Sequence, residues 1–229
     1  MNELLIRPIA YIRTDFPDKF GIPRQGGVID VLKGRIFFEK EFNDINAVRE
    51  IEQYSHLWLI WGFSKNFDRE ESWHSTVRPP VLGGNRRVGV FASRSPFRPN
   101  PLGLSVVKLE NVEYTENGPE LIVSGIDMAD MTPIYDIKPY LKYTDAVTDA
   151  NDGFSYATKE ALLKVDFCGN DLGMDPEIIR AVSLILSNDP RPHYQADPAR
   201  IYNMTYAGLN ISFRVENDTA YVIEIKKTD

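Results

Sequence analysis

The apolar residues of the first two-thirds of the chain are gathered into short runs, each closed by turn-forming residues, and this spacing predicts strands rather than helices. The runs fall at Leu4 to Ile12, Arg35 to Phe38, His56 to Phe63, Arg87 to Phe91, Leu104 to Val112 and Leu121 to Ile126, all rich in Val, Ile, Phe, Tyr and Trp. Between them stand Gly83-Gly84-Asn85, Pro99-Asn100-Pro101 and Asn117-Gly118-Pro119, which punctuate regular structure. One interruption is expected at Asp44 to Tyr54, where Ile45, Val48 and Ile51 recur at helical spacing behind a capping Asn43 or Asp44. Beyond about residue 155 the texture changes. Asp175-Pro176-Glu177 supplies a cap and a first-turn proline before Ile178, Val182, Ile185 and Leu186, so a helix of about 12 residues is predicted there. Leu209, Ile211, Phe213 and Val215 then alternate with Asn210, Ser212 and Arg214, and after Glu216-Asn217-Asp218-Thr219 a second run ends at Ile223 to Lys226. That pattern predicts a hairpin. The expected fold is therefore mainly β: an antiparallel β-barrel over residues 1–150, followed by a small C-terminal α+β appendage over 151–229.

Composition changes this picture little, but charge changes it more. At 229 residues with 43% hydrophobic and 26% charged positions, the chain has ordinary globular composition. Its one cysteine, Cys168, rules out a disulfide framework within a monomer, and neither a leader-like start nor a spanning apolar stretch is present. A cytoplasmic protein without membrane association is expected. The net charge of −7 argues against a polyanionic partner only if charge is spread evenly. It is not: from Ser72 to Leu109 there is no acid, while Arg78, Arg86, Arg87, Arg94, Arg98 and Lys108 all fall there. These form either a local basic surface for RNA or scattered surface charges.

The chain has no G-x-G-x-x-G, G-x-x-x-x-G-K-[ST] or G-x-S-x-G motif, and His56, His74 and His193 lie too far apart for a short metal-ligand spacing. Dinucleotide-fold and metal chemistry are thus not expected. The segment with the most chemical content runs Gly89-Val-Phe-Ala-Ser-Arg-Ser-Pro-Phe-Arg-Pro-Asn-Pro-Leu-Gly-Leu-Ser105. Its closely spaced prolines fix φ and remove donors, which makes it a stiff loop between two strands. Such a loop can hold Arg94, Arg98 and Asn100 in fixed directions for a carboxylate or phosphate; the alternative is a tight connection whose arginines pair with local acids. His56-Leu-Trp-Leu-Ile-Trp61 reads as a buried strand with Trp58 and Trp61 in the core and His56 at its start able to enter a pocket. If Pro133 to Leu141 is extended, Asp136, Lys138 and Tyr140 share a face that suits a substrate or a second subunit. Arg191, within Asp189-Pro-Arg-Pro-His-Tyr194, could meet a phosphate or merely stand in a linker.

The Gly89 to Ser105 segment resembles the signature of the TsaA-like, or TrmO-like, family of tRNA threonylcarbamoyladenosine methyltransferases. Phe20-Gly-Ile-Pro-Arg-Gln25, Ser55-His-Leu-Trp-Leu-Ile60, Asp130-Met-Thr-Pro-Ile-Tyr-Asp-Ile-Lys-Pro-Tyr-Leu141, Asp189 to Tyr194 and Tyr202 agree with it in order and spacing. The resemblance implies a barrel methyltransferase, acting as a homodimer, that uses S-adenosyl-L-methionine to methylate the exocyclic amino nitrogen of threonylcarbamoyladenosine at tRNA position 37. It implies cofactor contacts from Pro23, Arg24, Gln25, His56, Leu57, Arg94, Leu104, Asp130, Met131, Thr132 and Pro133. Tracts for tRNA follow from the charged segments: Arg86, Arg87, Arg98, Asn100, Asp136, Lys138, Tyr140 and Arg191. No residue is singled out as the general base. The chain departs from the family where Met131 replaces a glycine that would tolerate φ > 0, and where Ser93 replaces a threonine. A binding module on the same barrel, without turnover, is the competing reading.

Overall fold

The computed structural model of the protein describes residues 4–63, 73–79, 82, 86–154, 162–171, 173–191 and 197–228. The turn at Gly83-Gly84-Asn85, and Pro192, His193 and Tyr194 of the tail segment, lie outside the described residues. The described strands are β1 (Ala10–Thr14), β2 (Lys33–Phe38), β3 (His56–Gly62), β4 (Thr76–Val77), β5 (Val88–Gly89), β6 (Leu102–Thr115), β7 (Gly118–Ser124), β8 (Thr132–Pro139), β9 (Lys164–Asp166), β10 (Tyr202–Tyr206), β11 (Leu209–Glu216) and β12 (Thr219–Lys227). Helices are the single turn α1 (Lys142–Asp145) and α2 (Pro176–Ser187). Residues gather into two compact units, one of Met1–Thr14, Arg24–Ser72 and Pro99–Ala146, the other of Asp15–Pro23, Trp73–Arg98 and Val147–Asp229. No helix among the described residues is long and apolar enough to cross a membrane.

In the first unit six strands close into an antiparallel barrel in the order β1-β2-β7-β6-β3-β8. Closure removes every open edge, and alternation fills the inside: Ile12, Ile36, Leu57, Leu59, Leu121, Val123 and Ile134 are all fully buried. Each such side chain contributes about 1.5–3 kcal/mol relative to exposure. β6 points Gly103, Ser105, Val107 and Leu109 inward, and a bulge at Glu110 then lets Val112, three positions on, face inward as well. Trp61 lies directly on Gly103, where any Cβ would run into the indole ring.

Three sequence expectations are corrected here. The first strand begins at Ala10, not Leu4: Leu4 and Leu5 are exposed, and Pro8 has no N–H to give a ladder. The helix over Asp44 to Tyr54 is two 3-10 turns, Ile45–Val48 and Ile51–Gln53, broken at Glu50 with φ of 66°. The spacing explains it: Ile45, Val48 and Ile51 repeat every third residue, the 3-10 period, and only Val48 is buried. Asp44 nonetheless caps as expected, its carboxylate accepting the Asn46 N–H. Finally, Arg87 to Phe91 is no barrel strand; it holds β5, paired among the described residues with β4 in a two-stranded sheet, and a 3-10 turn at Val90–Ala92.

In the second unit α2 occupies the twelve residues expected, with Asp175 accepting from the Glu177 N–H and Val182, Ile185 and Leu186 buried. The hairpin β11 and β12 turns through Asn217 and Asp218, both at positive φ as a tight two-residue turn requires. It is widened on one side by β10 and on the other by a parallel β9. Phe16 and Phe20 of the Asp15–Pro23 segment pack on this sheet, 5.0 Å from Tyr206 and 6.3 Å from Phe213 between ring centres.

Candidate functional site

The barrel's outer surface over β6, β3 and β8 gathers several of the residues expected in a site. Directly paired residues on neighbouring strands share a face, and the register sets three rows: Leu104–Ile60–Asp136, Val106–Trp58–Lys138, and Lys108–His56 with Tyr140 just beyond β8. His56, Leu104, Asp136, Lys138 and Tyr140 therefore lie on one face. Leu104 is 56% exposed, high for an apolar strand residue. The Tyr140 ring meets His56 edge-on at 6.2 Å and Trp58 at 5.8 Å. Lys138 pairs with Asp136 at 2.7 Å.

Trp58 is half-buried on this outer face, which corrects its expected place in the core; Trp61, of opposite parity, is inside. The reason is polar. The Trp58 indole N–H donates to Asp145 Oδ2 at 2.8 Å, and the Leu141 N–H donates to the same oxygen at 2.9 Å. Those two donors, the backbone one foremost, hold the Asp145 carboxyl below the usual aspartate range. Nothing in the sequence links Trp58 to a residue 87 positions away. Leu57 faces the barrel interior and is fully buried, so only its backbone is available to a ligand.

The Asp130 to Pro133 turn is tied to the end of β1. Asp130 Oδ1 accepts the Thr14 N–H at 3.0 Å, the Met131 N–H donates to the Ile12 carbonyl at 2.8 Å, and the Thr132 hydroxyl donates to the Ala129 carbonyl at 2.8 Å. Thr132 and Pro133 are buried, and Met131 projects outward, 43% exposed, from a backbone with φ of 61°. The conformation that a glycine would favour is thus kept, with a methionine in it. Arg24 is exposed and Gln25 half-buried, on the loop that leads to Gly26 and Gly27 in this same unit.

The remaining candidates belong to the second unit, apart from Asn100, which is exposed in the first and accepts the Leu102 N–H at 2.7 Å. Pro23 is buried. The stiffness of the Arg94 loop has a second source besides proline: Ser93 Oγ accepts the Ser95 N–H, Ser95 Oγ accepts the Phe97 N–H, and Arg98 donates to the Ser93 carbonyl at 3.0 Å. Arg98 clasps its own loop, while Arg94 is exposed at its surface. Arg86 and Arg87 are exposed, the latter donating to Thr76 Oγ1 at 3.0 Å. Arg191 makes a two-pronged pair with Asp189, at 2.7 and 2.8 Å through Nε and Nη2, which fixes the direction of its guanidinium. A hollow of about 520 Å³ beside β9 and β12, and one of about 300 Å³ over β1 and β2, contain none of these candidates.

Residues 11–146 match the family model described as the tRNA-methyltransferase O N-terminal domain, and residues 162–228 match that of the TrmO C-terminal domain. A tRNA (adenine(37)-N6)-methyltransferase of Escherichia coli K12 is 34% identical over 224 residues, covering 94% of each chain. A Pseudomonas aeruginosa protein, named as a candidate S-adenosylmethionine-dependent methyltransferase, is 38% identical over 90% of each. The crystal structure of TrmO from P. aeruginosa superposes with a TM-score of 0.79 at 30% identity, covering 99% of this chain and 98% of that one.

Proposed function

The chain belongs to the tRNA-methyltransferase O family, and from that premise we propose that it is an S-adenosyl-L-methionine-dependent methyltransferase acting on the exocyclic nitrogen of adenosine 37 in tRNA, specifically where that base carries a threonylcarbamoyl group. The observation that carries this reading is the shared outer face of β6, β3 and β8, which sets an exposed leucine and an imidazole beside a lysine, a carboxylate and an aromatic ring.

The residues fit the cofactor's chemistry. Leu104 offers apolar cover for adenine, Arg24 and Arg94 offer guanidinium groups for a carboxylate, and Asp130 and Gln25 offer oxygen toward a cation. When bound, the cofactor supplies a methyl group on cationic sulfur. The Asp130 to Pro133 turn contributes the Met131 side chain and backbone rather than Thr132, whose hydroxyl is engaged within the turn. Residues 1–150 carry these groups, and 151–229, with Arg86, Arg87, Arg98 and Asn100 of the earlier basic tract, serve tRNA. Cofactor contacts completed across a homodimer, and action in the cytoplasm, complete the proposal.

The modified base suits this donor set. The amino nitrogen of plain adenosine gives its lone pair to the ring and is a weak nucleophile, whereas a carbamoyl group makes the remaining N–H more acidic and easier to remove. The threonyl carboxylate also gives Lys138 or Arg98 a handle with which to orient the nitrogen. The test compares tRNA from cells able and unable to make threonylcarbamoyladenosine, treated with protein and cofactor, digested to nucleosides and weighed by mass spectrometry. One added methyl on the modified nucleoside alone is expected. Equal methylation of both tRNAs, or of neither, refutes the assignment.

A further inference from the structure

Beneath the Gln25–Gly27 loop runs a chain of two hydrogen bonds, the first buried and the second half-buried, with no part in the site as described so far. The Trp61 indole N–H donates to Ser105 Oγ at 3.0 Å, and the Ser105 hydroxyl donates onward to Asp127 Oδ1 at 2.7 Å. The Trp61 ring is seated on Gly103 and meets Phe63 edge-on at 4.5 Å. Trp61 and Ser105 are 7% and 4% exposed, so solvent does not replace the indole–hydroxyl bond, while the half-buried Asp127 leaves the carboxylate end of the chain partly open to water. Asp127 is itself half-buried, among the buried neighbours Ile126, Met128 and Ala129, so its carboxylate is only partly solvated and gains from such a partner. Gly26 rests on this chain: a Cβ there would lie 3.3 Å from Ser105 Cβ, 3.2 Å from the Val106 carbonyl and 3.5 Å from Asp127 Oδ1. The next residue, Gly27, has φ of 78° and donates its N–H to the Gly125 carbonyl at 2.8 Å.

We infer that Trp61, Ser105 and Asp127 are positioning residues that hold the Gln25–Gly27 loop in its binding shape, and so set cofactor affinity without touching the cofactor. The inference rests on the reading above that Arg24 and Gln25 contact S-adenosyl-L-methionine. Packing alone would seat Gly26 on any small side chain at 105. The directed chain does more, because it fixes which way the Asp127 carboxylate faces and thereby the floor on which the loop lies.

Ser105→Ala removes the link while keeping the Cβ that Gly26 touches. In this variant the Michaelis constant for S-adenosyl-L-methionine is expected to rise about tenfold with that for tRNA changed by less than about twofold, since the lost interaction acts on one substrate's loop. Asp127→Asn, which keeps the acceptor oxygen, should stay within about threefold of wild type. Ile36→Val, a barrel-core change of similar thermal cost, should leave both constants alone. Amide hydrogen exchange at Gly27, read without cofactor, should be about tenfold faster in Ser105→Ala than in wild type, as expected when a local opening is made easier. Unchanged Gly27 exchange, or a cofactor constant that moves no more in Ser105→Ala than in Ile36→Val, overturns the inference. If Gly27 exchange accelerates while even the wild type fails to bind S-adenosyl-L-methionine, the loop is positioned as inferred and the functional reading is what fails.

Discussion

Met131 occupies a left-handed backbone, φ of 61°, with its side chain 43% exposed, and the stability of substitutions there can be worked out from those two facts. Left-handed backbone costs an L-residue about 1–2 kcal/mol, a cost glycine escapes. Glycine in turn loses roughly 0.5–1 kcal/mol more backbone entropy on folding than alanine does. At position 131 the two effects leave glycine ahead of alanine by about 0.5–1 kcal/mol, the reverse of their order at ordinary positions. Both variants also lose the covered part of the methionine, about 1 kcal/mol on the scale for a fully buried side chain. Met131→Ala should therefore be destabilised by about 1 kcal/mol, and Met131→Gly should fall within about 0.5 kcal/mol of wild type. In a chain of this size about 1 kcal/mol moves the melting temperature by roughly 2–4 °C, so thermal unfolding of the three proteins side by side resolves the order. Alanine equal to or more stable than glycine at 131 would refute the reasoning, because it would mean the left-handed turn is not retained or not costly.

Three further outcomes follow from the site. Arg94→Ala should leave melting unchanged, since the side chain is exposed, yet weaken binding of S-adenosyl-L-methionine by about 1.5–3 kcal/mol in calorimetry, with Arg94→Lys recovering only part; wild-type affinity in the alanine variant removes Arg94 from the site. Charge reversal at Arg86 and Arg87 together should weaken tRNA binding and lower the slope of log affinity against log salt by about 2, one unit per lost phosphate contact; an unchanged slope puts the RNA footprint elsewhere. Asp145, whose carboxyl is held below the usual range by the Leu141 and Trp58 donors, binds its proton more readily in the unfolded chain, so its stabilising effect is complete above the ordinary aspartate range and is lost as pH falls through the lower folded value. Tryptophan emission, compared between wild type and Trp58→Phe, should report that transition below the range of a free aspartate, and a midpoint at or above it would refute the pairing.

Much of the fold was legible because short strands, caps and turns leave local marks. Asp175-Pro176 located α2, and Asn217-Asp218 located the last hairpin. What failed did so where one local pattern serves two structures. A three-residue repeat at Ile45, Val48 and Ile51 is common to an α-helix and to 3-10 turns, and too little of it is buried to stabilise the longer element. β9 is too short for a sequence signal, being three residues recruited by pairing with β12. Asp127 had a visible mark, an acid among apolar neighbours, but its partner Ser105 and the indole behind it become evident only once the strands are paired.

The site's face depends on register, and register is where sequence parity alone misleads. On β8, Thr132 and Ile134 face the barrel interior, and in a regular strand Asp136 and Lys138, of the same parity, would follow them inward. Two unsatisfied charges in an apolar barrel would cost several kcal/mol each. The strand avoids this with one extra residue: Trp61 pairs with Ile134 and Ile60 with Asp136, so Tyr135 is a bulge that turns the rest of β8 over. Opposite, Trp61 lies where only Gly103 leaves room, so a one-residue slip of β3 against β6 would drive the indole into a side chain. The bulge and the tryptophan on glycine together bring Asp136, Lys138 and Tyr140 to the same outer face as His56 and Leu104. The every-second-residue spacing of Asp136, Lys138 and Tyr140 was readable, but the neighbours they meet are decided by the bulge at Tyr135 and the room left at Gly103, neither of which stands among the expected site residues.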